Sequence, residues 1–228
     1  MIAENLQKIK ENIASVCKKS NRNSDEIVLV AVTKIFPPEV IQEAARAGIY
    51  DFGENFVQEI RDKKEKILNS DIRWHFIGHL QTNKVKYIAP WIFLIHSVDS
   101  LSLASELDKR AEQANRKINF LLEIHTTNEA TKYGIIADRT LHFAQELQKF
   151  KNIQLQGLMT MGPLSEKPED ARTSFRCLRE LREDLFNNGI NAPHLSMGMS
   201  GDYEVAIEEG ATIIRLGTAL FGKRIYTT

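Results

Sequence analysis

Residues 27–34 read IVLVAVTK and run directly into IFPPEVIQEAARAG. Seven apolar or β-branched residues without polar alternation describe a strand buried on both faces, as in a parallel sheet. The segment that follows has the spacing of an amphipathic helix and ends at Gly48. Lys34 therefore stands where a buried strand hands over to a helix, an unusual place for an amine.

The same alternation continues along the chain. Apolar runs at 49–52, 73–77, 92–98, 118–125, 153–160, 193–197 and 212–216 predict seven more strands. Helical patterns separate them, and Gly48, Gly189 and Gly210 sit just past three of these, where C-cap glycines belong. The weakest unit is the third, whose helix, TNKVKYI, is short. Eight strand–helix units point to an α/β fold, a single (β/α)8 TIM-type barrel. An open doubly wound sheet is the competitor, but VAVTKIFPP carries no glycine where that fold has its G-x-G-x-x-G turn. Ahead of the barrel, Ile2, Leu6, Ile9, Ile13 and Val16 recur every three or four residues. They predict an extra N-terminal helix over 1–20, with the barrel over about 27–224, so that 1–228 is one domain.

Composition limits the function. The 228 residues hold 30 Lys plus Arg against 30 Asp plus Glu. Without a net field, nucleic acid and anionic membranes are not expected partners. No apolar run approaches the roughly 20 residues of a membrane span, and the amphipathic start is not a signal peptide. Cys17 and Cys177 make no disulfide framework, so the expectation is a cytoplasmic protein.

In a (β/α)8 barrel, ligands bind at the C-terminal ends of the strands. The last two ends read LSMGMSGDYEVAIEEG and IIRLGTALFG. Ser200 is placed to cap the helix that begins near Asp202, and Gly217 and Thr218 repeat the arrangement. Each loop alone is a tight turn; together, after the seventh and eighth strands, they are candidates for a phosphate site. Lys34 leaves the first strand, which neighbours the eighth in a closed barrel. A desolvated lysine amine is nucleophilic and forms Schiff bases. An amine that bonds an aldehyde, beside a phosphate cradle, suggests pyridoxal 5′-phosphate (PLP). Arg215 interrupts a strand otherwise fit for burial. It either closes an internal salt bridge, with Glu54 or Asp51 as partner, or faces the pyridine nitrogen of PLP.

At these residues the chain resembles the PLP homeostasis proteins, a PLP-binding family related to the barrel domain of alanine racemase. The segments that carry the resemblance are VAVTK, FGENFVQE, WHFIGHLQTNK, GLMTMGP, LSMGMSGDYEVAI and IRLGTALFG. The resemblance implies that Lys34 holds PLP as a Schiff base, that Ser200, Gly217 and Thr218 hold its phosphate, that Arg215 faces the ring nitrogen, and that Asn55 of the GEN motif lines the pocket. Two positions depart from the family pattern. Phe36 stands where a second lysine is common, which puts a secondary PLP contact in doubt, and His125 stands where asparagine is common.

Other signals read as structure. His75 and His79 lie on a strand and a turn, without further ligands at metal spacing. Residues 198–201 are not a hydrolase elbow, which needs glycine where Asp202 stands. The methionine pairs Met159/Met161 and Met197/Met199 read as gap-filling core. RDKKEK, residues 61–66, reads as a solvated helix face.

Two functions that use PLP remain open: a PLP carrier without turnover, and a PLP-dependent racemase. Racemisation needs an acid/base on each face of the substrate Cα, and Lys34 serves one. The resemblance to alanine racemases implies that the second would be a tyrosine from an additional β-domain. The chain runs twelve residues past Leu216, so that domain is not expected. Of Tyr50, Tyr87, Tyr133, Tyr203 and Tyr226, only Tyr133 sits in a suitable loop, after the fifth strand. A carrier is therefore the expectation: a monomer, with a dimer as the alternative, and apo PLP enzymes as recipients. A barrel that binds another phosphorylated metabolite is the third reading.

Overall fold

The computed structural model describes residues 1–127 and 133–222. The expected end of the barrel near 224 and Tyr226 lie outside them. Helix α1 spans Ile2–Lys19. Strand β1 is Val28–Val32, followed by α2, Pro38–Arg46. Then come β2 (Asp51–Glu54), α3 (Val57–Lys66), β3 (Arg73–Phe76), β4 (Leu94–Val98) and α4 (Leu101–Gln113). The second half holds β5 (Ile118–His125), a two-residue β6 (Ile135–Ile136), α5 (Thr140–Leu147), β7 (Ile153–Met159) and α6 (Arg172–Asn187). It ends with β8 (His194–Ser196), α7 (Tyr203–Glu208), β9 (Ile213–Leu216) and α8 (Thr218–Phe221).

Every pairing is parallel. β1 bonds both β2 and β9, and β4 bonds β5, so eight strands close into a barrel while β6, among the described residues, pairs only with β5. All eight expected strands are present. The third unit's helix is a 3-10 segment over Thr82–Tyr87 rather than an α-helix. Gly48, Gly189 and Gly210 follow α2, α6 and α7 in the left-handed region, with φ of +92°, +76° and +99°.

Strand alternation sorts the side chains into two compartments. Outward residues such as Ala31, Phe52, Trp74, Phe76, Phe120 and Ile214 pack under the helices in one large cluster. Inward residues Val28, Val30, Leu94, Leu121, Met159 and Ile213 form a smaller cluster inside the barrel. Polar inward residues share that interior: Asp51, His75, His96, Ser196 and Arg215 are all buried. Gly157 is required where β7 meets β8, because a Cβ there would lie 2.0 Å from the His194 carbonyl oxygen.

On α1, Ile2, Leu6, Ile9, Ile13 and Val16 are all buried, and the helix packs against α7 and α8. Each such side chain contributes roughly 1.5–3 kcal/mol relative to exposure. This extra helix therefore braces the loops that follow β8 and β9.

Candidate functional site

The Lys34 turn is held from below. Thr33 continues the β1–β2 pairing, its N–H donating to Gly53 O at 3.1 Å. Lys34 and Ile35 then turn, and Phe36 N–H closes back on Thr33 O at 3.0 Å. Ile35 has φ +74°, which costs a β-branched residue about 1–2 kcal/mol. Two contacts hold it there. Ile35 N–H donates to Glu59 Oε1 at 2.5 Å, and Lys63 Nζ donates to Thr33 O at 2.7 Å. The peptide groups on either side of Lys34 are thus tied to α3, while Lys34 itself is half-buried.

Lys63 also donates to Glu54 Oε1 at 2.7 Å and Glu59 Oε1 at 2.6 Å. Thr33 Oγ1 adds a bond to Glu54 Oε1 at 2.6 Å. Burial pushes the Glu54 carboxyl up, and Lys63 and Thr33 oppose that. The reading of residues 61–66 as a solvated face fails at Lys63, which is 4% exposed. One lysine in a basic helix is drawn inward by two carboxylates, its i−4 neighbour Glu59 and, from β2, Glu54, which sequence alone does not bring near it.

The loops after β8 and β9 are joined by Ser200, whose Oγ accepts the Ala219 N–H at 3.1 Å. This corrects the expected cap. The N-cap of α7 is Asp202, with no side-chain cap bond, and Ser200 serves α8 instead. Asp202 Oδ1 accepts the Met199 N–H at 2.6 Å, folding the loop so that Ser200 reaches across. Gly217 is the N-cap of α8, and Thr218 begins it, exposed. Ala31 pairs with Leu216, so the Lys34 turn and the Gly217–Thr218 loop leave adjacent strand ends. Phe36 and Phe221 meet with ring centroids 5.0 Å apart, closing that edge.

Arg215 lies beneath these loops, 5% exposed. Its Nη1 donates to Ser196 Oγ at 2.7 Å and its Nη2 to Thr160 O at 3.0 Å. The suggested salt bridge to Glu54 or Asp51 is not formed: Glu54 serves Lys63, and Asp51 pairs with Arg73 and His75. Burial lowers the Arg215 pKa to about 10, against the pull of Asp202 and Glu123. Glu123, which sequence reading passed over, is raised to about 7 by burial and by Asp99, with Arg215 opposing. Its place among the inward residues of β5 was the signal available.

Ser196 leads away from the mouth. Its Oγ lies 2.9 Å from His96 Nδ1, His96 Nε2 lies 2.9 Å from His75 Nδ1, and His75 Nε2 lies 3.0 Å from Asp51 Oδ1. His75 is therefore a member of a polar column inside the barrel. His79 lies at the mouth, 3.5 Å from Asp99 and stacked on Tyr133 at 3.8 Å. Among the methionines, Met159 and Met197 are core, while Met161 and Met199 are exposed at the rim.

Asn55 follows β2 at the same end of the barrel. Its Oδ1 is buried with no hydrogen-bond partner among the described residues. It borders a cleft of about 490 Å³ that Gly78, His79, Arg61 and Lys84 also line. The six residues singled out from sequence therefore share the C-terminal end of the barrel, contributed by β1, β2, β8 and β9 and the turns that follow them.

A family model described as alanine racemase, N-terminal domain, matches residues 5–225. The pyridoxal phosphate homeostasis protein of Aquifex aeolicus is 45% identical over 98% of both chains. This chain belongs to the pyridoxal phosphate homeostasis protein family. Among solved structures, PipY of Synechococcus elongatus PCC7942 with PLP bound superimposes with a TM-score of 0.86 at 33% identity, covering 97% of this chain and 100% of that one. Alanine racemase of Clostridium difficile 630 gives a TM-score of 0.77 at 16% identity, covering 98% of this chain and 58% of that one. At that identity the likeness is one of fold. Among the described residues, no helix is long and apolar enough to cross a membrane.

Proposed function

We propose that this protein binds PLP through Lys34 and acts as a carrier in cytoplasmic PLP homeostasis, without a turnover reaction of its own. The observation that carries the reading is the junction of the Lys34 turn with the Ser200–Ala219 loop pair on adjacent strand ends. In the reading, the Lys34 amine bonds the aldehyde, and Ser200, Gly217 and Thr218 receive the phosphate. Arg215 faces the ring nitrogen, and the unpartnered Asn55 Oδ1 fits a polar group of the ligand. Bound PLP supplies a reversible aldehyde and an electron-withdrawing ring.

The protein's part is to hold and orient. Lys63 and Glu59 fix the backbone around Lys34, so the amine is presented from a set position. An arginine at the ring nitrogen leaves that nitrogen unprotonated and the ring a weak electron sink, which suits storage over carbanion chemistry. Tyr133, the tyrosine with the best claim to act as a second acid, is 58% exposed and stacked on His79. That favours the carrier over the racemase. Recipients would be apo PLP enzymes, and the protein would act as a monomer.

The test is to incubate the PLP-loaded protein with single L-amino acids and, separately, with an apo PLP enzyme. The carrier reading expects the apo enzyme to gain activity and no D-enantiomer to accumulate. Steady racemisation at enzymatic rates would favour the alternative.

A further inference from the structure

The column inside the barrel is more than a set of satisfied polar groups, because its two ends fix the direction of every proton in it. A guanidinium only donates, so Ser196 Oγ must accept from Arg215. The Asp51 carboxylate at the other end only accepts, so with both imidazoles neutral the order is set from that end and leaves His96 Nδ1 bare to take the Ser196 hydroxyl proton. His96 Nε2 carries its proton and donates to His75 Nδ1, and His75 Nε2–H donates to Asp51. The opposite order would set a bare His75 nitrogen against the Asp51 carboxylate. We propose that Asp51, His75, His96 and Ser196 form a one-directional hydrogen-bond relay that positions Arg215 and couples its charge to a carboxylate at the far end of the barrel.

The positions support a relay along the barrel. Asp51 is the first residue of β2, His75 the third of β3, His96 the third of β4, Ser196 the last of β8 and Arg215 the third of β9. The lower end opens on a cavity of about 150 Å³ lined by Asp51, Arg73, His75, Asn119, Gln156 and His194. The relay thus joins that cavity to the arginine under the proposed PLP ring. The surrounding charges agree with the order. Burial alone would raise Asp51, but bonds from His75 and Arg73 hold it below the usual carboxylate range. Burial pushes both imidazoles toward the neutral form; His96 also feels His75, Arg215 and His194. Arg215 feels Asp202 and Glu123. Two neutral imidazoles and one hydroxyl therefore link the Arg215 guanidinium to the Asp51 carboxylate, whose direct ion-pair partner is Arg73. In this arrangement Asp51, His75, His96 and Ser196 are positioning residues, and Arg215 is the group that would meet the ligand.

The consequence for the cofactor rests on the PLP reading above, but the proton order does not. Two measurements separate them. In the PLP-free protein, 15N NMR of labelled histidines should show His75 and His96 as neutral Nε2–H tautomers at neutral pH. A proton on His96 Nδ1, or a charged His96, overturns the relay whatever the protein binds. In the PLP-loaded protein, Asp51→Asn removes a negative charge from the far end and should disfavour protonated groups at the mouth. The pH midpoint of the visible cofactor band is expected to fall by about one unit. Ser196→Ala cuts the relay beside Arg215 and should produce a similar fall. The double variant should then show no more than the larger single shift, because both changes break one path. Additive shifts, or an unmoved midpoint in Asp51→Asn, would overturn the coupling. If the wild-type protein takes up no PLP, the cofactor reading fails while the tautomer result still judges the relay.

Discussion

The Nζ of Lys63 lies 2.7 Å from the carbonyl oxygen of Thr33, the residue before Lys34. A buried cation one helix away thus fixes the backbone that presents the proposed cofactor amine. Removing it leaves the fully buried Glu54 without its ion-pair partner, a change that typically costs about 3–5 kcal/mol. Lys63→Met should therefore lower urea stability by about that amount and weaken PLP retention. Glu59→Gln, whose carboxyl is partly exposed, should cost less in both readouts.

Ile35 offers the reverse experiment. Its left-handed backbone is strained for a β-branched side chain that is itself 60% exposed, so little burial is lost on replacing it. Asparagine tolerates that region far better. Ile35→Asn should stabilise the fold by about 1 kcal/mol, read as a rise in Tm of a few degrees. A drop in Tm would mean that the turn depends on the isoleucine side chain.

Glu123 makes stability depend on pH. Its folded pKa, about 7, lies above the ordinary 4.5. Between those values the folded state binds more protons than the unfolded one, so stability falls as pH rises through that window. Glu123→Gln should be the more stable protein at pH 8 by about 2–3 kcal/mol, with the gap closing near pH 4. Paired denaturation curves at the two pH values check this.

Ser200 bridges the loops after β8 and β9, so Ser200→Ala removes a bond to Ala219 N–H and a donor to the proposed phosphate. Such a loss is worth about 1–2 kcal/mol. PLP affinity by fluorescence titration should fall roughly 5- to 30-fold. Little change in affinity, with stability reduced, would make Ser200 a loop clasp only.

The barrel was legible because each strand is a dense apolar run between helical patterns. Lys34, the GEN segment and the last two loops were legible because strand ends in this fold gather at one mouth. Four features were hidden for physical reasons. Lys63 looks like its neighbours Lys64 and Lys66 until α3 is laid over β2. Ser200 stands two residues before the helical pattern that begins at Asp202 and reads as its cap, yet tertiary packing gives its oxygen to α8. Asp51, His75 and His96 each read as a polar residue interrupting an otherwise apolar run; only their common inward parity aligns them. Helix α8, four residues long, is shorter than any periodicity can reveal.

The central claim, that Lys34 carries the cofactor, is tested most directly by borohydride reduction of the protein purified with PLP, followed by peptide mass mapping beside Lys34→Ala. The account predicts a pyridoxyl group on the peptide containing Lys34 and no comparable label in the variant. An unlabelled Lys34, or label scattered over surface lysines, would contradict it.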